Sequence, residues 1–162
     1  MVVADTSVWI PFFNEPESEE KRELDALIDA DRLVMVGVVL AELIQGCRTA
    51  KEAEATTSRL AGLRFIETAF STWQRAGELS FGLRRKGVTL PLSDLVIAAL
   101  ALEHRLEIYT LDPHFKAVRA LPCTFRHAPG VAADPAGQDA WRQPVLPIGP
   151  AGRAAVQLLV ST

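Results

Sequence analysis

The stretch PLSDLVIAALALEHR, residues 91–105, most constrains what this chain can become. A proline and a serine cap open it as a helix, and from Leu95 to Leu102 it is apolar on every face. A helix without a polar side has to be covered all round, so it belongs in the middle of a domain. Asp94 sits in its first turn. Around it, short β-branched runs alternate with amphipathic segments. Val2–Ala4 reads as a buried strand that stops at Asp5, and Leu33–Val36, Arg64–Ile66 and Glu107–Thr110 read as further strands. Between Asp5 and Ser18 lies a Pro- and Asn-containing loop. Ser18 then caps a helix with Leu24, Leu27 and Ile28 at helical spacing. VVLAELIQG forms a helix closed by Gly46, Ala50–Leu60 another, and Phe70–Lys86 a third that stops at Gly87. Phe115–Arg119 reads as a short helix and Leu121–Phe125 as a last edge strand. Strands alternating with helices at these spacings predict the α/β class: a three-layer α/β/α arrangement around a central, mostly parallel sheet.

A length of 162 residues suits one domain, placed at residues 1–128. From about Pro129 the alternation disappears and Pro, Gly and Ala dominate. Residues 129–162, with the lone Trp141 and an apolar stretch Ala154–Val160, read as an extension that is poorly ordered or docked on the domain or a partner. The opening MVVADTSVWI has no basic leader and the longest apolar run, Leu33–Ala41, is far short of a bilayer span, so the expected location is the cytoplasm with no membrane contact. Cys47 and Cys123 show neither a disulfide framework nor a zinc spacing.

Four acids stand apart from the solvated charges. Asp5 ends a strand, Asp112 follows one, Asp94 opens the buried helix and Glu42 interrupts the apolar VVLAELI. In open α/β sheets the ligand crevice lies at the carboxyl ends of the strands, where three of these map. Taken singly they have plainer readings. Asp5 can cap a helix starting at Thr6, Asp94 can favour a helix dipole and Asp112, before Pro113, can be a turn residue. Glu42 is harder to explain so, because an acid in that helix would be buried without a partner unless something binds it. Four carboxylates packed together repel, and cations are what neutralise such a cluster; hard oxygen ligands select Mg2+ or Mn2+. Ions of that kind support phosphodiester hydrolysis.

The segments DTSVWI, VVLAELIQG, PLSDLVIAALALEHR and TLDPHF, in this order and at these separations, strongly resemble the four motif blocks of PIN domains, in particular those of VapC-type toxins of toxin–antitoxin systems. The resemblance covers about residues 2–126. It implies a metal-dependent endoribonuclease in which Asp5, Glu42, Asp94 and Asp112 hold the cation, with Thr6 and Thr110 supporting them by hydrogen bonds. It also implies an RNA substrate, a cognate antitoxin and a homodimer. Many relatives carry a further acid two places after the last aspartate; here that position is His114.

Two other readings compete. An aspartyl-phosphate phosphotransfer enzyme or phosphatase would also end its first strand on an aspartate, but would want a second acid two residues on, where this chain has Ser7. A non-catalytic scaffold of the same fold would not need four intact acids. With a net charge of −3, bulk positive charge does not attract RNA, so a local basic rim is expected. Arg84, Arg85 and Lys86 are its candidates, with Arg48 and Lys51 weaker ones; a solvated helix end is the plainer alternative. Trp9, Ile10, Phe12 and Phe13, next to the first acid, either fill the core or form a groove for a partner helix.

Overall fold

The computed structural model describes residues 1–120 and 125–126. Five strands, β1 (Val2–Ala4), β2 (Leu33–Val36), β3 (Arg64–Ile66), β4 (Glu107–Tyr109) and β5 (Phe125–Arg126), lie in the order β3-β2-β1-β4-β5. The sheet expected to be mostly parallel is parallel at every pairing. Six helices connect it: α1 (Thr6–Asn14), α2 (Glu19–Asp29), α3 (Gly37–Gly46), α4 (Ala50–Leu60), α5 (Phe70–Arg84) and α6 (Leu92–His104). A 3-10 segment, Pro113–Ala120, follows β4.

Every residue of β1 and β2 is buried, which is why these strands read as unbroken apolar runs: a parallel sheet is covered on both faces. The chain steps outward from β1 to β2 and β3, then returns to place β4 on the other side of β1. Helix α2 packs on β2 and α6 on β4, and α1 packs on α2 as α5 does on α6; since crossovers between parallel strands are right-handed as a rule, the change of direction puts the two pairs on opposite faces. The direction of winding reverses between β1 and β4. Such a switch point opens a crevice beyond the carboxyl ends of the strands.

The helix expected to be buried is α6. Its residues from Asp94 to Ala101 are all buried, but Ser93 lies inside its first turn and does not cap it: the cap position is Pro91, which has no side-chain donor or acceptor to offer. Helix α5 packs antiparallel on it, as Thr72 near the start of α5 shows by donating a 2.6 Å hydrogen bond to Glu103 near the end of α6. Helix α2 begins as its sequence suggests, with the Ser18 hydroxyl accepting from the Lys21 N–H at 3.1 Å.

Of the two readings of the segment after Asp5, the loop is overturned and the capped helix holds: α1 starts at Thr6 with Asp5 as its N-cap, and Pro11 lies inside it. Proline removes the N–H that would pair with the Ser7 carbonyl, a cost offset here by packing, since Val8, Trp9 and Phe12 are buried. Trp9 meets the Phe12 ring edge-on at 5.1 Å and stacks on Phe13 at 5.8 Å. Trp9 and Phe12 are core and the half-buried Phe13 packs against it, whereas Ile10 is 54% exposed. Other differences are at boundaries. Helix α5 ends at Arg84 instead of Lys86, β4 ends at Tyr109, and the short helix expected at Phe115–Arg119 is the longer 3-10 segment. The edge strand expected at Leu121–Phe125 pairs through Phe125 and Arg126, with residues 121–124 outside those described. The extension at 129–162 also lies outside the described residues. Among those described, no helix is long and apolar enough to cross a membrane.

Candidate metal centre

At the carboxyl edge of the sheet, the Asp5 N–H donates to the Tyr109 carbonyl at 2.9 Å, which extends the β1–β4 pairing by one residue and locks Asp5 beside the turn after β4. Asp5 caps α1, as the plainer reading proposes, but the cap uses one oxygen only. Its Oδ2 accepts from the Ser7 N–H at 3.3 Å, the Ser7 hydroxyl at 2.6 Å and the Thr110 hydroxyl at 3.1 Å, and Oδ1 takes part in none of these bonds. Both hydroxyls are used twice. Ser7 Oγ accepts from the Leu111 N–H at 3.1 Å and Thr110 Oγ1 from the Asp112 N–H at 3.0 Å. Two hydroxyls thus join the β1–α1 turn to the segment that carries Asp112.

Asp112 combines turn and site geometry. Its Oδ1 accepts from the His114 N–H at 2.8 Å and lies 2.9 Å from the same residue's Nδ1. Glu42, in the second turn of α3, departs from expectation: it is half-buried, and its Oε2 accepts from the Thr6 hydroxyl at 2.5 Å. The helix is apolar in sequence, but Ala41 and Ile44 beside Glu42 are exposed, so this turn lies at the surface. Asp5 and Asp94 are both buried, at 5% and 6% exposure, and of the two it is Asp94 whose Oδ2 has no hydrogen-bond partner. Burial first, and then the charges of Asp5, Asp112 and Glu42, push its carboxyl up from 3.8 to about 6, against an opposing effect of His114. Asp94 therefore feels the charges of the other three acids named from sequence. A buried carboxylate oxygen without a donor, under the charges of three more acids, fits a hard divalent cation: the donors are oxygens, and the ion supplies the missing positive charge.

Thr6 and Thr110 make the supporting hydrogen bonds expected of them, to Glu42 and Asp5 respectively. Ser7 was not singled out by sequence reasoning, although a hydroxyl two residues after a strand-ending acid was the available signal. Ser7→Ala removes a donor to Asp5 and an acceptor for Leu111. Loss of such an outer hydrogen bond is expected to weaken divalent-cation binding by about 10- to 100-fold with the fold retained, as read by Mn2+ titration and circular dichroism. An unchanged affinity would remove Ser7 from the centre.

The basic rim is placed less tightly. Arg84 closes α5, Arg85 and Lys86 follow it, and all three are exposed; the Arg85 guanidinium sits 5.6 Å from the Phe81 ring centroid. Because α5 and α6 are antiparallel, this patch is at the end of the helix pair that carries Asp94.

The sequence matches the family described as PIN domain over residues 2–121. Ribonuclease VapC5 of Mycobacterium tuberculosis is 32% identical over 125 residues, which span 72% of this chain and 86% of that protein. Among solved structures, VapBC2 from Rickettsia felis bound to a DNA fragment from its promoter superposes with a TM-score of 0.65 at 20% identity, over 79% of this chain and 99% of that one. A toxin–antitoxin complex from Klebsiella pneumoniae superposes with a TM-score of 0.60 at 24% identity, over 75% and 93%.

Proposed function

Because the chain belongs to the PIN-domain family, we propose that it is a divalent-cation-dependent endoribonuclease that hydrolyses RNA phosphodiester bonds and serves as the toxin of a toxin–antitoxin pair. The observation that carries the chemistry is the buried, unpartnered oxygen of Asp94 amid the charges of Asp5, Glu42 and Asp112. These four residues would hold Mg2+ or Mn2+, which when bound supplies Lewis-acid stabilisation of the phosphate and a nucleophile from water at neutral pH. The chain's own work is orientation. Ser7 and Thr110 aim Asp5 by occupying one of its oxygens, and Thr6 holds Glu42. The phosphotransfer alternative loses support from position 7, where the hydroxyl of Ser7 is engaged with Asp5 and Leu111.

Purified protein is expected to cut single-stranded or looped RNA with Mg2+ or Mn2+ and to stop with EDTA. Expressed alone it should arrest growth, and co-expression with a neighbouring antitoxin frame should yield a soluble, inactive complex. Exposed apolar side chains support a protein partner or a second copy: Phe70 is 84%, Trp73 49% and Phe81 65% exposed along α5. Absence of cleavage in both metals overturns the nuclease; cleavage without growth arrest or a co-purifying partner overturns only the toxin role.

Replacing Arg84, Arg85 and Lys86 together by alanine is expected to flatten the salt dependence of RNA binding by up to about 0.7 in slope per lost phosphate contact on a single strand. A wild-type slope in the triple variant would remove this patch from the RNA path.

A further inference from the structure

We infer that His114 is a ligand of the cation held by Asp94 and Asp112, and that its nitrogen biases this centre toward Mn2+ over Mg2+. The inference deepens the proposed function and rests on the cation site assigned there. Among the described residues, one ligand atom from each of Asp94, Asp112 and His114 lies within 4.8 Å of the others. Ligands about 2.1 Å from an ion are up to roughly 4.2 Å apart across it, so modest side-chain movement closes this set on one cation. Asp94 is 94% buried by the complement of its 6% exposure, and its Oδ2 has no partner; that oxygen is the independent sign that a cation belongs here.

His114 is held at the centre by its backbone. The His114 N–H donates to Asp112 Oδ1 at 2.8 Å, and the 3-10 segment that carries it is anchored by Phe115 and Val118, both fully buried. The imidazole is free to adjust, with its side chain 62% exposed and Nδ1 already 2.9 Å from Asp112 Oδ1. An acid at this position would add a third carboxylate to Asp94 and Asp112. Imidazole instead lowers the negative charge by one and offers a softer donor. Mg2+ prefers oxygen and gives up water reluctantly, whereas Mn2+ and the later divalent ions accept imidazole.

The test uses the full chain with MnCl2 or MgCl2 alone, by calorimetric titration and by pulsed electron paramagnetic resonance of bound Mn2+. Wild-type protein is expected to show 14N coupling to Mn2+, and His114→Ala to lose it along with about tenfold in Mn2+ affinity while Mg2+ affinity changes little. His114→Asp is expected to restore an all-oxygen set and to shift the Mn2+/Mg2+ affinity ratio about tenfold toward Mg2+. Mn2+ binding without nitrogen coupling, unchanged in His114→Ala, overturns the role of His114 and leaves the nuclease reading intact. No binding of either ion by the wild type overturns both. Nitrogen coupling in a protein that does not cleave RNA supports the ligand and overturns the nuclease.

Discussion

Asp94→Asn is expected to lose RNA cleavage by at least about 100-fold and, in EDTA at neutral pH, to melt at a higher temperature than the wild type. The first effect follows from deleting a charged ligand from a centre whose metal contributes several kcal/mol to the barrier, each 1.36 kcal/mol being tenfold in rate. The second follows from proton linkage. The Asp94 carboxyl titrates near 3.8 when unperturbed and at about 6 in the folded protein. Below the lower value it is protonated in both states and costs nothing. Between the two the folded state binds more protons than the unfolded state, so stability falls as pH rises. Above 6 the full cost remains, on the order of 3 kcal/mol. Asparagine carries no charge and avoids that cost, and at roughly 2–4 °C per kcal/mol the gain amounts to about 6–12 °C. Divalent cations should reverse the order, stabilising the wild type and not the variant. Scanning calorimetry at pH 4 and pH 7.5, with and without Mn2+, reads all of this. A variant that cleaves at the wild-type rate, or a wild type that melts above it in EDTA at pH 7.5, contradicts the assignment of Asp94.

Trp9→Ala is expected to destabilise the fold by roughly 3–5 kcal/mol, a large part of the 5–15 kcal/mol that typical domains have. Trp9 is 1% exposed and packs on both Phe12 and Phe13, so its removal leaves a cavity under the helix that begins at the Asp5 cap. The indole N–H has no hydrogen-bond partner, so part of what tryptophan contributes by burial is offset by an unsatisfied donor. Trp9→Phe removes that donor with most of the ring retained and should cost far less than alanine. Urea denaturation of both variants separates the two effects. Equal losses would show that ring volume is not what matters here, and no loss in Trp9→Ala would show that α1 does not anchor the core.

The fold was legible because its elements are strongly patterned. A helix apolar on every face, as α6 is from Leu95 to Leu102, and strands without alternation, as in β1 and β2, can exist only under cover on all sides. Short elements separated by helix-length connections then require parallel pairing. Between Asp5 and Ser18 local signals conflict: Pro11 and Asn14 suggest a loop and Asp5 a helix cap, and the burial of Val8, Trp9 and Phe12 decides for the helix. The half-exposure of Glu42 was not legible, because apolar composition does not reveal which turn of a helix reaches the surface.

The sequence by itself determined the class of the fold and the acids worth watching, since hydrophobic period, cap residues and strand-end positions are local properties of the chain. What the acids do together was decided only in three dimensions. The return of the chain from β3 to β4 brings Asp5 and Asp112 to neighbouring strands 107 positions apart in the numbering, where Ser7 and Thr110 can bind across the gap. Packing decided that Asp94 is buried with an unpartnered oxygen while Glu42 finds Thr6, and that Asp112 and His114 come close to Asp94. Charge repulsion, desolvation and hydrogen-bond satisfaction depend on distances of a few ångströms between residues remote in the chain, and no local pattern encodes those distances.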